Sequence, residues 1–530
     1  MTALGLLHLA DGIALVAAGW LIPRRLARAR RTAAAALLLD LMPLAVGGLL
    51  LGCATGRPLF AGCVILALGA GFTLADYAMR ETLREPVVFS AMSELPQVFT
   101  HPHLYLPFAG PGLVIGGAAA AIVLALTLLV VEPPLWTPHP LTALAAAALL
   151  GLGGHLLSRE PLLGRAAGRL RRLAASGEPD ADAAALGPFA MLLVQTIVAR
   201  AERQPRQRAL AARPMGRAPA APGTPAGPIV LVQCESFFDA RRLSPRIPHE
   251  LLAGFDTGRA AALSGRLEVP GWGANTMRSE FAVLTGLPES ALGYDRFNPY
   301  HALARVPLES QVWRLRRAGY RTICLHPFDR RFFRRDVVMP ALGFDAFLGR
   351  ETLGGSRVPP YCPDPELARQ ILRVLDEAGP HTFIFAITMG NHGPWPAVGP
   401  TTGPVDPAVA RLFGPAAIPG GGDLLRYLDG LRASDEMLQV LLDGLGRRAA
   451  PSVLGFYGDH LPSLSPAFRH FGFEEPHSDY LVWRNGGRPQ RRDLQAHQLG
   501  RIIVDAALGA APARDLEASL APPEPARLLR

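Results

Sequence analysis

The residues able to do chemistry in this 530-residue chain follow short apolar runs in its second half. Glu235 follows Ile229–Gln233, and His326 and Asp329 follow Thr322–Leu325. Asn391 and His392 follow Thr382–Ile387, and Asp459 and His460 follow Ser452–Phe456. Glu235, Asp459 and His460 offer two carboxylate oxygens and one imidazole nitrogen, a donor set that suits Mn2+, Mg2+ or Zn2+. An Asp-His pair after a strand also has a plainer use, with Asp459 capping the next helix. A fifth segment, Gly271–Phe281, runs from two glycines into a helical pattern beginning near Thr276, with Phe281 and Leu284 on its apolar face. A hydroxyl at a helix N-terminus lies at the positive end of the dipole, where an anion docks. Taken alone Thr276 is an N-cap; beside a metal it becomes an activated nucleophile.

A sheet must position these groups. Continuous apolar runs between helical patterns imply parallel strands buried on both faces. Open α/β sheets bind ligands at the carboxyl ends of their strands. Four strand ends that each deliver a carboxylate, an imidazole or an amide are therefore expected along one edge. The chain from Pro228 onward, about 300 residues, suffices for one large domain.

The first half is of another kind. Apolar runs long enough to span a bilayer lie at about 4–22, 33–53, 58–76, 113–131 and 141–157. Residues 1–157 thus read as a helical membrane domain of five spans. Asp11 and Asp40 fall inside spans, either as functional carboxylates or as helix-paired ones. Arg24, Arg25, Arg28, Arg30 and Arg31 crowd the first loop, Arg80 and Arg84 the third, and five more arginines the 158–172 flank. The positive-inside rule puts these in the cytoplasm, and five spans would leave the second half there too. An uncharged stretch at 183–199 is either a sixth span or a helix lying on the membrane surface. Residues 158–227 read as a basic juxtamembrane segment and linker, flexible from 200 to 228, and 511–530 as a polar tail.

Composition agrees. With 49% hydrophobic and 18% charged residues, the chain is neither an ordinary soluble enzyme nor disordered. Its net charge of +9 comes from arginine alone, since it contains no lysine. Residues 1–228 hold 19 Arg against 12 Asp and Glu, while 229–530 hold 34 against 32. A nearly neutral second half gives no nucleic-acid footprint. The five cysteines form no CxxC pair, so neither a disulfide framework nor a zinc ribbon is expected. The N-terminus does not read as a cleaved signal peptide.

Glu235 in Val-Gln-Cys-Glu-Ser-Phe, Thr276 in Ala-Asn-Thr-Met-Arg-Ser-Glu-Phe, and Gly458-Asp459-His460 resemble the lipoteichoic acid synthase family. So do His326, the 332–336 run and Asn391-His392-Gly393-Pro394. These phosphoglycerol transferases belong to the alkaline phosphatase and sulfatase superfamily, and the resemblance spans about residues 228–508 in order. It implies a sulfatase-like catalytic domain at 228–510. There Glu235, Thr276, Asp459 and His460 would hold one divalent cation, Mn2+ or Mg2+ before Zn2+. Thr276 would attack phosphatidylglycerol, diacylglycerol would leave, and a glycan or glycolipid hydroxyl would take the phosphoglycerol. His326, Arg335 and His392 would hold phosphate and glycerol oxygens, with Asp329, Phe333 and Asn391 beside them. It also implies a bacterial inner-membrane protein whose catalytic domain faces outward.

The chain departs from the family where Phe333 and Arg334 stand in place of a Trp-Asn pair, which leaves the head group open. The sulfatase nucleophile signature, Cys or Ser followed by x-Pro-x-Arg, is absent, which disfavours a formylglycine sulfatase. A phosphoethanolamine transferase, a phosphodiesterase and a non-catalytic membrane scaffold are the alternatives.

Overall fold

The computed structural model describes residues 3–29, 32–173, 176–213, 227–356, 361–395, 407–411 and 418–509. It divides into two compact units, Met1–Pro205 and Arg206–Arg530.

Among the described residues of the first unit, five helices are long and apolar enough to cross a membrane: Ala3–Leu26, Ala34–Thr55, Pro58–Leu83, Pro111–Val131 and Pro140–Leu157. They coincide with the five apolar runs. The first and third pack through glycine, because small residues let backbones approach where lipid offers no hydrophobic drive. A Cβ on Gly69 would lie 2.1 Å from the Gly19 carbonyl. Asp40 proves to be helix-paired. It is fully buried and accepts from Arg24 Nη1 at 2.6 Å, Trp20 Nε1 at 2.8 Å and the backbone N–H groups of Phe189 and Ala190. It thereby satisfies the first turn of the helix Pro188–Ala211. Asp11 is exposed on its helix.

The uncharged stretch 183–199 is not one helix. Gly187, at φ +91°, separates Pro179–Leu186 from Pro188–Ala211. Residues 200–211, expected in the linker, continue that second helix. Their Ala, Arg, Gln and Glu residues are good helix formers. The rest of the linker at 214–226 and the tail 511–530 lie outside the described residues.

The second unit is built on one nine-stranded sheet. Its strands are β1 (Ile229–Cys234), β2 (Ala262–Glu268), β3 (Arg321–Leu325), β4 (Ala346–Leu348), β5 (Thr382–Ile387), β6 (Val453–Gly458), β7 (His477–Arg484), β8 (Gln490–Arg491) and β9 (Leu494–Gln495). The order is β4-β3-β5-β1-β6-β7-β2-β8, with β9 also on β2. The four expected strands are β3, β5, β1 and β6, adjacent and parallel. Burial on both faces explains their unbroken apolar character. Val230 and Val232 join the core under the helices Asp364–Ala378 and Gly421–Gly446, while Ile229 and Leu231 join the core under Thr276–Thr285 and Ala496–Ala507. The antiparallel β7 and β2 extend the parallel sheet that the sequence implies. They were not expected, because polar residues such as Ser264, Arg266 and Asp479 interrupt their apolar pattern.

Candidate metal-binding and nucleophile site

Parallel neighbours bring their carboxyl ends to one edge. Cys234 is in register with Gly458, so Glu235 and Asp459 leave adjacent strands side by side. Gly458 permits the turn, since a Cβ there would lie 1.8 Å from the Phe237 carbonyl. Ser236, at φ +56°, adopts the left-handed conformation rare outside glycine. Its N–H donates to Asp459 Oδ1 and its hydroxyl to Glu235 Oε1, both at 2.9 Å. Two carboxylates are thus fixed by a residue whose function the sequence did not announce.

His460 completes the set. Its Nε2 lies 3.5 Å from Glu235 and 3.4 Å from Asp459, and ligand atoms of all three residues fall within 4.8 Å of one another. The Nδ1–H of His460 donates to the Leu461 carbonyl at 2.9 Å. That leaves the Nε2 lone pair for a cation, the usual tautomer of a metal-binding histidine. Thr276 Oγ1, at the start of the buried helix Thr276–Thr285, lies 3.4 Å from the same Nε2. Ser279, on that helix, ties it to the metal turn by donating to the Asp459 carbonyl at 2.5 Å.

The donor atoms fit a divalent cation. Asp459 Oδ2 is buried and has no hydrogen-bond partner among the described residues, a costly state unless something positive meets it. Burial and the adjacent Asp459 charge push Glu235 up to about 8. A cation between the two carboxylates relieves both strains.

The expected substrate residues divide. His326, at the end of β3, is fully buried; its Nδ1 meets the Ile387 carbonyl at 3.2 Å and its Nε2 meets Arg335 Nη1 at 3.3 Å. Burial and the Arg335 charge hold it neutral, well below the usual histidine range. Arg335 itself is gripped by Glu280, with Nε at 3.0 Å and Nη2 at 2.9 Å. Glu280 also accepts from Gln233 Nε2 at 2.9 Å and from the Tyr300 hydroxyl. His392 follows β5 with its Nδ1–H on the Gly393 carbonyl and its ring edge-on to Tyr361. Phe333 lies with the Arg335 guanidinium 5.3 Å from its ring. Phe333 and Arg334 both take positive φ.

Two others turn elsewhere. Asn391 accepts from Trp395 Nε1 at 3.0 Å and donates to the Tyr427 carbonyl at 3.3 Å, so both ends of its amide brace the fold. Asp329 accepts from the Arg331 N–H at 3.0 Å and shapes its own turn.

Sequence reasoning gave no role to Ser236, Glu280 or Tyr361. Glu280 had one available signal: it stands four residues after Thr276, hence on the same helix face. Tyr361 had none. Its hydroxyl is buried with no partner among the described residues, and its ring packs on His392 and Phe328.

Residues 229–504 match the sulfatase family. The capsular polysaccharide biosynthesis protein RkpI of Rhizobium meliloti (strain 1021) is 30% identical over 458 residues, 80% of this chain and 77% of that protein. A second protein of that organism, named for cyclic beta-1,2-glucan modification, is 28% identical over 254 residues, 46% of this chain and 37% of its own length. Among solved structures, the integral membrane lipooligosaccharide phosphoethanolamine transferase A (EptA) of Neisseria meningitidis aligns over 95% of this chain and 94% of its own. Its TM-score is 0.53 at 14% identity. The phosphoglycerol transferase GacH of Streptococcus pyogenes aligns over 59% of this chain and 80% of its own, with TM-score 0.44 at 20% identity. The EptA likeness covers the helical first unit as well as the sheet domain.

Proposed function

The chain belongs to the sulfatase family, within the alkaline phosphatase and sulfatase superfamily, and we propose that it is a membrane-anchored, metal-dependent phosphoglycerol transferase. The donor is phosphatidylglycerol and the acceptor a glycan or glycolipid of the cell envelope. The observation that carries this reading is the meeting of Glu235, Asp459, His460 Nε2 and the Thr276 hydroxyl at one sheet edge. The names of the two Rhizobium relatives, in capsular polysaccharide biosynthesis and glucan modification, support a saccharide acceptor.

Glu235, Asp459, His460 and Thr276 would hold the cation, Mn2+ or Mg2+, which when bound would supply a lowered hydroxyl pKa and a counter-charge for the phosphoryl oxygens. Thr276 Oγ1 attacks phosphorus and loses its proton. The P–O bond to diacylglycerol breaks, and diacylglycerol leaves as the protonated alcohol. An acceptor hydroxyl then attacks phosphorus of the glycerophosphothreonine, the P–O bond to Thr276 breaks, and Thr276 regains a proton. Arg335, held in place by Glu280, presents its remaining N–H groups to phosphate oxygens. Neutral His326 fixes the rotation of that guanidinium by accepting from Nη1. His392 lines the glycerol side.

The protein resides in a bacterial inner membrane with its second unit facing outward, where such a donor and acceptor meet. Arg24 is paired with Asp40, and Arg80 with Asp76 and Asp180. These arginines serve as internal counter-ions, which weakens their weight as cytoplasmic markers. A phosphatase reporter fused after Pro228 is expected to be active outside the cell membrane. Activity of only a cytoplasmic reporter at that point overturns this orientation.

Mass spectrometry of the Thr276 peptide after trapping with lipid donor tests the reaction. A phosphoglycerol adduct is expected. A phosphoethanolamine adduct moves the head group to the alternative, and no adduct with either donor removes the transferase reading.

A further inference from the structure

Beyond the metal edge, the chain leaving Glu235 passes through Asp239 into a separate cavity of about 840 Å3. Its walls come from the 239–242 turn, the helix Ala253–Arg259 and strands β2, β7 and β8. None of Glu235, Thr276, Asp459 and His460 lines it. Three residues lie between Glu235 and Asp239, so the Cα of Asp239, on the cavity wall, is within about 14 Å of that of Glu235.

Five arginines line the cavity against three aspartates. Two of the arginines are braced. Arg241 makes two-pronged contacts to both Asp239 and Asp256, at 2.6–3.0 Å. Arg242 reaches Asp479 at 2.7 Å and Glu475 at 2.8 Å. Arg266 also pairs with Glu475, at 3.0 Å. The other two differ. Arg259 stays 3.7–3.8 Å from Asp256 and Asp239, beyond hydrogen-bond range, while its guanidinium sits 5.3 Å from the centre of the Phe255 ring. The Arg491 side chain has no ion-pair or hydrogen-bond partner among the described residues. Both are exposed.

This arrangement asks for two chemistries in one ligand. Guanidinium forks with open donors take phosphate or carboxylate. The Asp256 carboxylate, 39% exposed, accepts hydroxyl groups. The volume falls within the range of about 300–1,000 Å3 that encloses ligands of several rings, larger than one inorganic anion needs. We infer that the cavity binds an anionic saccharide, with its phosphate or carboxylate group on Arg259 and Arg491 and its hydroxyls on Asp256. Its place beside the metal edge makes it the acceptor subsite, a role that rests on the transferase reading above.

The test is calorimetric binding to the full chain in detergent. The probes are a phosphorylated oligosaccharide, a uronic-acid oligosaccharide, a neutral one of equal length, and inorganic phosphate. At least one charged saccharide is expected to bind ten or more times tighter than the neutral one and than phosphate, and to weaken as salt rises. The stronger charged arm names the anionic group. Arg259→Glu with Arg491→Glu should weaken it tenfold or more, while Arg447→Glu, an exposed charge elsewhere, should not. Should the double reversal fail to fold, Arg259→Gln with Arg491→Gln replaces it and is expected to act in the same direction. Equal binding of charged and neutral saccharides, equal competition by phosphate, or indifference to both double variants overturns the assignment. Thr276→Ala should keep the binding. Binding without any Thr276 adduct in the wild type would remove the transferase reading and leave the cavity assigned. An adduct without binding would remove the cavity assignment alone.

Discussion

Two buried arginine–carboxylate pairs, one in each unit, share a motif and differ in use. Arg24 and Asp40 tie helix ends together. Arg24 gives Nη1 to Asp40 and Nη2 to the Ala29 carbonyl and the Thr32 hydroxyl, while Asp40 fills its oxygens with Trp20 and two backbone N–H groups. Arg335 and Glu280 belong to the site. Glu280 is saturated by Arg335, Gln233 and Tyr300. Arg335 engages Glu280 and His326 and, like Arg24, keeps two of its five N–H groups free of hydrogen-bond partners among the described residues. Its charge, however, acts on Glu235 of the metal set. A pair whose carboxylate ties down a helix end is a staple. A pair that acts on a set with an unmet buried carboxylate oxygen, Asp459 Oδ2, marks a place where a ligand completes the structure. Neither burial nor the number of open arginine donors separates the two cases; the unmet carboxylate oxygen does.

That contrast can be broken most forcefully at the metal set. Thr276→Ala or Asp459→Asn should lower transfer of the lipid head group on the order of 10⁴-fold, measured by release of diacylglycerol, while the melting temperature without metal changes little. Replacing Asp459 should also abolish any rise in melting temperature on adding Mn2+. A second comparison sets the pairs against each other. Glu280→Gln leaves Arg335 buried without its counter-ion and should cost roughly 3–5 kcal/mol of stability together with a large fall in kcat. Asp40→Asn should destabilise the helical unit, yet purified protein that stays folded should still form the Thr276 adduct. Equal loss of adduct in both variants would show that the two pairs do the same work.

Arg335→Lys and Arg24→Lys sharpen the point. Lysine has no planar fork, so the first should lose about 100-fold in kcat/KM, whereas the second should affect only thermal stability. The smallest effect is electrostatic and lies away from both pairs. Burial pushes Asp364 up to about 6, although Ser434 and the Gly390 N–H donate to it. A carboxyl whose folded value exceeds its unfolded one holds extra protons when folded. Stability from this group is therefore greatest below about pH 4 and declines as pH rises towards 6. Asp364→Asn should flatten that part of the melting temperature against pH, and an unchanged slope would rule out Asp364 as its source.

Much of the candidate site was legible because its residues follow buried parallel strands, and such strands announce themselves as unbroken apolar runs. Glu235, His326, His392, Asp459 and His460 each come within five residues of one. Thr276 was legible as a helix start. Ser236 was not, since a serine after a glutamate carries no signal until its φ and its two acceptors are known. Asn391 and Asp329 resembled ligands by type and position, and only their partners show them bracing turns. The edge formed by β2 and β7, with the arginine cavity beside it, was hidden by mixed polar patterning.

The amino-acid sequence by itself determined the five apolar helices, the four central strands and the residue types at their ends, because hydrophobic periodicity is a local property of the chain. The tertiary structure alone decided which charges meet. Glu280 finds Arg335 across 55 residues and Arg242 finds Asp479 across 237. Those choices depend on strand order and helix placement, which no local window of sequence contains. They decide which arginine staples the fold and which acts on the metal set.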